Sequence, residues 1–184
     1  LEFLIFMRLN NGLIEQLFLM PVISTQQIKY WRVALTTAQL ENIFLKTKVS
    51  NNMKIGVIQL CSTLNPEENI RKVRFLMQQA VQEGVEGVFL PECFYSMSDG
   101  LSATPYVVQE GNEHYREIKN LAIDFNLPIL SGTATYKTED GKGVVNRNLC
   151  FTADGNKLAY YDKMHLFHCQ LNQGQTSIDE SQIY

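Results

Sequence analysis

Two charged residues occupy frames that can deliver them to one pocket. Glu92 follows the apolar run Val85 to Leu90 and sits in Pro91-Glu92-Cys93-Phe94. Lys163 follows Leu158 to Tyr161 and opens Lys163-Met164-His165-Leu166-Phe167. Functional groups in open α/β sheets collect at the carboxyl ends of strands, and both residues fall at such ends. A glutamate beside a lysine stays ionised and can accept a proton from a nucleophile or a water. The ammonium can hydrogen-bond an oxyanion as it forms, a contribution of about 3–4 kcal/mol per donor. The pair contains no strong nucleophile. On spacing alone this is a weak signal, because Glu and Lys at strand ends are usually solvated or in surface ion pairs worth about 0–1 kcal/mol.

The elements that would carry the pair can be read from Met53 onward. Ile55 to Leu60 is a short, mostly apolar run that predicts a buried strand. Asn65 can cap a helix, Pro66 suits its first position, and Glu67 and Glu68 favour the positive end of its dipole. Ile70, Val73, Met77, Ala80 and Val81 recur at helical spacing, and Gly84 can stop the helix. Val85 to Leu90 predicts a second strand. A polar loop from Ser96 to Asn112 leads to a second helix, Glu113 to Asn126, with Tyr115, Ile118, Ala122 and Phe125 as its buried stripe. Ile129 to Tyr136, Val144 to Thr152 and Leu158 to Tyr161 predict three more strands. A Gly- and Asp-containing turn at 138–143 and the hairpin turn Asp154-Gly155-Asn156 separate them. Strand, helix, strand, helix and three strands make an α/β protein with a mixed sheet. The helices are expected to cover one of its faces.

Residues 1–52 have a different character. They carry apolar stretches but no sustained period, and the chain opens on Leu rather than Met. Met53 is therefore expected to be the natural start. On this reading, residues 1–52 are upstream or spurious sequence; the alternative is an atypical N-terminal extension, packed on the domain or used for assembly. Leu1 to Met7 is apolar but short, and it does not read as a signal peptide.

Composition narrows the classes. Over 184 residues, a hydrophobic content of 45% excludes a disordered chain, and a net charge of −3 leaves no basic footprint for nucleic acid. No apolar run is long enough to span a bilayer, so no membrane partner is expected. Cys61, Cys93, Cys150 and Cys169 form no C-x-x-C pair, which points to reduced thiols in a cytoplasmic compartment. Cys61 and Cys150 read as packing residues. Cys93 adjoins Glu92, and neighbours on a strand point to opposite faces. His165, His168 and Cys169 offer three metal ligands without the usual paired spacing, and His165 is better read as supporting the lysine loop through hydrogen bonds. There is no nucleotide-binding glycine motif, so no cofactor is expected.

Leu90-Pro91-Glu92 after an apolar strand, followed downstream by Lys163-Met164-His165-Leu166-Phe167, resembles the nitrilase (carbon-nitrogen hydrolase) superfamily. Lys54 to Leu60 and Asn146 to Gly155 are similar to it as well. The resemblance covers 53–184 and none of 1–52. It implies an αββα sandwich, here incomplete at the C-terminus, and a Glu-Lys-Cys triad. Glu92 would be the general base and Lys163 would stabilise the tetrahedral intermediate. A cysteine beyond Tyr184 would attack the amide or nitrile carbon. Glu180, in Ile178-Asp179-Glu180-Ser181, resembles a second glutamate that orients substrate or lysine in many members. The wording is most like ω-amidases and related hydrolases of small linear amides or N-carbamoyl amines, which form homo-oligomers when complete. Without its nucleophile the chain as given is expected to be inactive. The alternative is a truncated, non-catalytic product kept for binding or assembly.

Overall fold

The computed structural model describes residues 3–10, 13–21, 52–171 and 176–184. In chain order the elements are β1 (Phe3–Asn10), β2 (Leu13–Pro21), β3 (Asn52–Gln59), α1 (Pro66–Gln82), β4 (Gly87–Phe89) and α2 (Glu113–Phe125). There follow β5 (Ile129–Ser131), β6 (Thr133–Lys137), β7 (Val144–Phe151), β8 (Lys157–Asp162), β9 (His168–Leu171) and β10 (Thr176–Asp179), with a closing 3-10 turn at Glu180–Gln182. The main sheet runs β2-β1-β3-β4-β5-β7-β6, with β8 also on β7, and β9 and β10 form a separate two-stranded ribbon. β3, β4 and β5 are parallel and the other pairs antiparallel, which gives the mixed sheet expected from the order of elements.

Strict alternation along the central strands separates two faces. Leu4, Ile58, Val88 and Ile129 point to the side where both helices pack. Ile55, Phe89 and Leu130 point to the other, with Ile5, Met53 and Val57 beside them. The helices therefore cover one face, as the sequence predicts.

Helix α1 starts where its cap requires. The Asn65 side chain accepts from the Glu67 amide at 2.9 Å, and Pro66 begins the helix. Its buried stripe includes Leu76 rather than Val81, which is 43% exposed. Leu76 lies three residues after Val73 on the stripe, whereas Val81 falls in the last turn of the helix. Asn112 caps α2 through the Tyr115 amide at 2.8 Å, and Asn126 closes it in the left-handed conformation.

Two strand expectations needed correction. The run Ile129 to Tyr136 is two strands divided at Gly132. A Cβ at Gly132 would lie 2.8 Å from the Leu90 Cβ and 3.0 Å from the Phe94 ring, so the break lets the chain after β4 press against the sheet. The segment after Lys163 also forms more structure than its sequence announces, namely the β9–β10 ribbon.

β1 and β2 fall within the segment set apart at 1–52. β1 pairs with β3 along its length, and Leu4 is buried in the helix-side core. Residues 22–51 lie outside the described residues. Among the described residues no helix is long and apolar enough to cross a membrane.

Candidate active site

Three segments distant in sequence converge on the Lys163 ammonium. Lys163 Nζ donates to Glu92 Oε1 at 2.9 Å and to Glu180 Oε2 at 2.8 Å. All three residues singled out from sequence therefore meet at one point. Each arrives by a different local device.

Glu92 sits on a turn fastened to the adjoining strands. The Leu90 amide donates to Ser131 O at 2.8 Å, Thr133 N to Pro91 O at 3.3 Å, and Phe94 N to Thr133 O at 3.2 Å. The Cys93 amide donates to Thr133 Oγ1 at 2.8 Å. Cys93 itself has φ 50°, a left-handed conformation that costs a side-chain-bearing residue about 1–2 kcal/mol. Lys163 extends the β7–β8 ladder by one rung, its amide donating to Asn146 O at 2.9 Å. Glu180 follows β10, and the Phe167 amide donates to its Oε2 at 2.6 Å while the Glu180 amide donates to Phe167 O at 3.0 Å. The backbone of Phe167, at the end of the lysine frame, thus holds the second glutamate.

The charges do not balance: one ammonium faces two carboxylates. Burial opposes the charge on Lys163, but the hydrogen bonds to Glu180 and Glu92 outweigh it and hold the ammonium above its ordinary pKa. Lys163 is therefore a fixed cation at neutral pH and cannot itself be the base. Glu92 keeps more than half of its side chain exposed, while Glu180 keeps only 17%. The accessible carboxylate is Glu92, and the enclosed one braces the lysine.

Asn146, which sequence reasoning did not single out, completes the cluster. Its Nδ2 donates to Glu92 Oε1 at 2.8 Å and lies 3.9 Å from Cys93 Sγ. The residue is 1% exposed, and its Oδ1 is buried without a hydrogen-bond partner. The available signal was an amide at the strand position opposite Lys163. Thr133 and Thr135 were missed too; the latter lies 3.3 Å from the Tyr184 hydroxyl.

The cysteines required correction. Cys93 is on a turn, not a strand, so the argument from alternating faces fails, and its thiol approaches the same amide that Glu92 accepts from. Burial first, and then the Glu92 charge, push its pKa up. Cys150 packs as expected, its thiol directed at Leu130 O at 3.0 Å, and burial raises its pKa to about 11. Cys61 is exposed rather than packed. His165 is exposed and has no hydrogen-bond partner among the described residues, contrary to the expected bracing role. His168 Nδ1 lies 3.7 Å from Asp179 Oδ2. No group of three or more His, Cys, Asp or Glu among the described residues is placed to hold a metal ion.

The carbon-nitrogen hydrolase profile matches residues 54–184. The chain belongs to the carbon-nitrogen hydrolase family. It is 31% identical over 140 residues to a deaminated glutathione amidase of Dictyostelium discoideum, covering 71% of this chain and 47% of that protein. It is 25% identical over 130 residues to an omega-amidase of Homo sapiens, covering 71% of this chain and 46% of that protein. The chain thus spans about half the length of these curated relatives. Among solved structures, the NitFhit protein of C. elegans matches with a TM-score of 0.53 at 25% identity, over 69% of this chain and 31% of that one. A nitrilase-superfamily protein of Saccharomyces cerevisiae has the same fold, with a TM-score of 0.51 at 24% identity over 59% of this chain and 43% of that one. The mixed α/β architecture read from the sequence is therefore that of the carbon-nitrogen hydrolases.

Proposed function

We infer that this carbon-nitrogen hydrolase domain serves the hydrolysis of a small linear amide, with Glu92 as general base and Lys163 as the oxyanion partner. What supports the reading is the single ammonium at 2.9 Å from an accessible carboxylate and 2.8 Å from an enclosed one. Glu92 takes the proton of an attacking thiol and gives it to the departing amide nitrogen, then takes one from the hydrolytic water and returns it to the thiolate. Lys163 stabilises the negative oxygen of the tetrahedral intermediate. Glu180 keeps the ammonium charged and aimed. The amide nitrogen leaves as ammonia or an amine, and an acyl-thioester remains for water to cleave.

The nucleophile in this reading is a cysteine other than the four in the sequence. Cys93 is the nearest thiol, but burial and the adjacent carboxylate both oppose its ionisation, and the thiolate is the attacking species. A carbamoyl amine would present the same carbonyl chemistry as a linear amide, and the amidase relatives favour the amide.

Mass spectrometry of the full gene product that contains these 184 residues, quenched during turnover of a linear ω-amide, tests this. The expected adduct is the substrate acyl group on a cysteine outside the four named here. An acyl group on Cys93 would overturn the assignment of the nucleophile. Absence of any amide turnover would overturn the hydrolase reading in favour of a non-catalytic member of the family.

A further inference from the structure

Behind the Glu92–Lys163 pair, on the opposite face of the β7–β8 ribbon, lies a second ionic cluster that the chemistry above does not use. Arg147 is 7% exposed. Its Nε and Nη2 donate to the two oxygens of Asp162 at 2.6 and 2.8 Å, a bidentate fork. Its guanidinium lies between two rings, 4.4 Å from the centroid of Tyr136 and 4.3 Å from that of Tyr160. Three strands contribute: Tyr136 from β6, Arg147 from β7, Tyr160 and Asp162 from β8. All four fall on one side of the sheet by the alternation of the strands.

The position of this clamp along the ribbon matters. Arg147 and Asp162 are direct cross-strand partners. The next rung joins Asn146 O to the Lys163 amide, and its two side chains point to the other face. Those are the side chains that hold and pair with Glu92. Alternation makes register decisive, since a slip of one residue would carry Asn146 and Lys163 to the wrong face. A bulge between Cys150 and Phe151 lies between the hairpin turn and the rest of the ladder. The fork and its two rings lie beyond that bulge, beside the site.

We propose that Arg147, with Asp162, Tyr136 and Tyr160, is a positioning device that fixes the β7–β8 register and so delivers Lys163 and Asn146 to Glu92. Its catalytic relevance rests on the roles inferred above for Glu92 and Lys163, but the geometric claim does not. Arg147→Lys keeps the charge and loses the planar fork and most of the stacking.

The test is competitive acylation of the amines of the folded full chain, with each lysine peptide quantified by mass spectrometry. A paired ammonium reacts slowly because little free amine is present. In Arg147→Lys, Lys163 labelling relative to Lys142 is expected to rise about threefold, equivalent to roughly half a pKa unit. Val73→Ala, which weakens the helix-side core elsewhere, should leave that ratio unchanged. In an active preparation Arg147→Lys should also lower kcat with little change in KM. Unchanged Lys163 labelling in Arg147→Lys would overturn the proposal and leave the clamp a stabilising feature only. Should that variant not fold, Tyr160→Leu removes the half-exposed ring and must raise Lys163 labelling in the same direction, or the proposal fails. Failure of the hydrolase reading would appear separately, as absent turnover in the unaltered protein, which the labelling ratio does not use.

Discussion

The two faces of the β7–β8 ribbon carry ionic clusters built on opposite plans. On one face Arg147 meets a single carboxylate in a two-pronged contact, is enclosed by two rings, and is almost fully withdrawn from water. On the other, Lys163 is shared between two carboxylates, one of which stays more than half exposed. The first cluster is neutral and geometrically saturated, as a structural pair should be. The second carries one negative charge too many and keeps an accessible carboxylate, which is poor design for stability and suitable for a proton acceptor. Charge balance and access thus distinguish positioning from chemistry within one short ribbon.

Substitutions can break this comparison, and the largest effect should fall on activity. Glu92→Gln removes the base with little change of shape and is expected to lower kcat/KM for a linear amide by about 10²–10⁴-fold. Its exposed ion pair contributes little, so unfolding by urea should shift by no more than about 1 kcal/mol. Lys163→Met should lower the same rate constant by about 10²–10³-fold, as loss of an oxyanion donor does.

The structural face should show the reverse pattern. Arg147→Met leaves Asp162 without its partner and should cost roughly 2 kcal/mol of stability by equilibrium unfolding, since an orphaned, partly buried charge is more costly than a lost surface pair. Gly132→Ala tests the support beneath Glu92. Its new Cβ would press on Leu90 and Phe94, and overpacking of that kind costs about 1–3 kcal/mol.

How much of this was legible in the sequence follows from how local each signal is. Asn65-Pro66 announces its helix through capping chemistry complete within a few residues, and the structure keeps that start. Glu92 and Lys163 were visible because apolar runs lead into them. Gly132 was hidden because the reason for it is Leu90, more than a helix away in the chain. Asn146 was hidden for a similar reason: an amide in a strand is unremarkable until Glu92 and Cys93 are brought against it. Cys93 was misread because strand alternation was carried past the strand's end at Phe89, into a turn where φ is 50°. The Arg147 clamp needs three strands in register, and no spacing rule within one segment reveals it.

The smallest expected effect is a pH dependence. The folded pKa of Lys163 is raised by its two carboxylates despite burial, and that of Tyr184 is pushed up to about 12 by burial first. In both cases the folded state retains a proton that the unfolded state loses. Their contributions are therefore complete below the ordinary pKa values near 10 and are lost as pH rises through the folded values. Urea midpoints should fall between about pH 10 and 12, and Lys163→Met should reduce that slope.

The most direct test of the central claim is kcat/KM for ammonia release from a linear ω-amide, measured for the full gene product and its Glu92→Gln variant, alongside their urea midpoints. A loss of at least about a hundredfold at nearly unchanged stability is the predicted result. Near-wild-type turnover in the variant would contradict it and remove Glu92 from the chemistry.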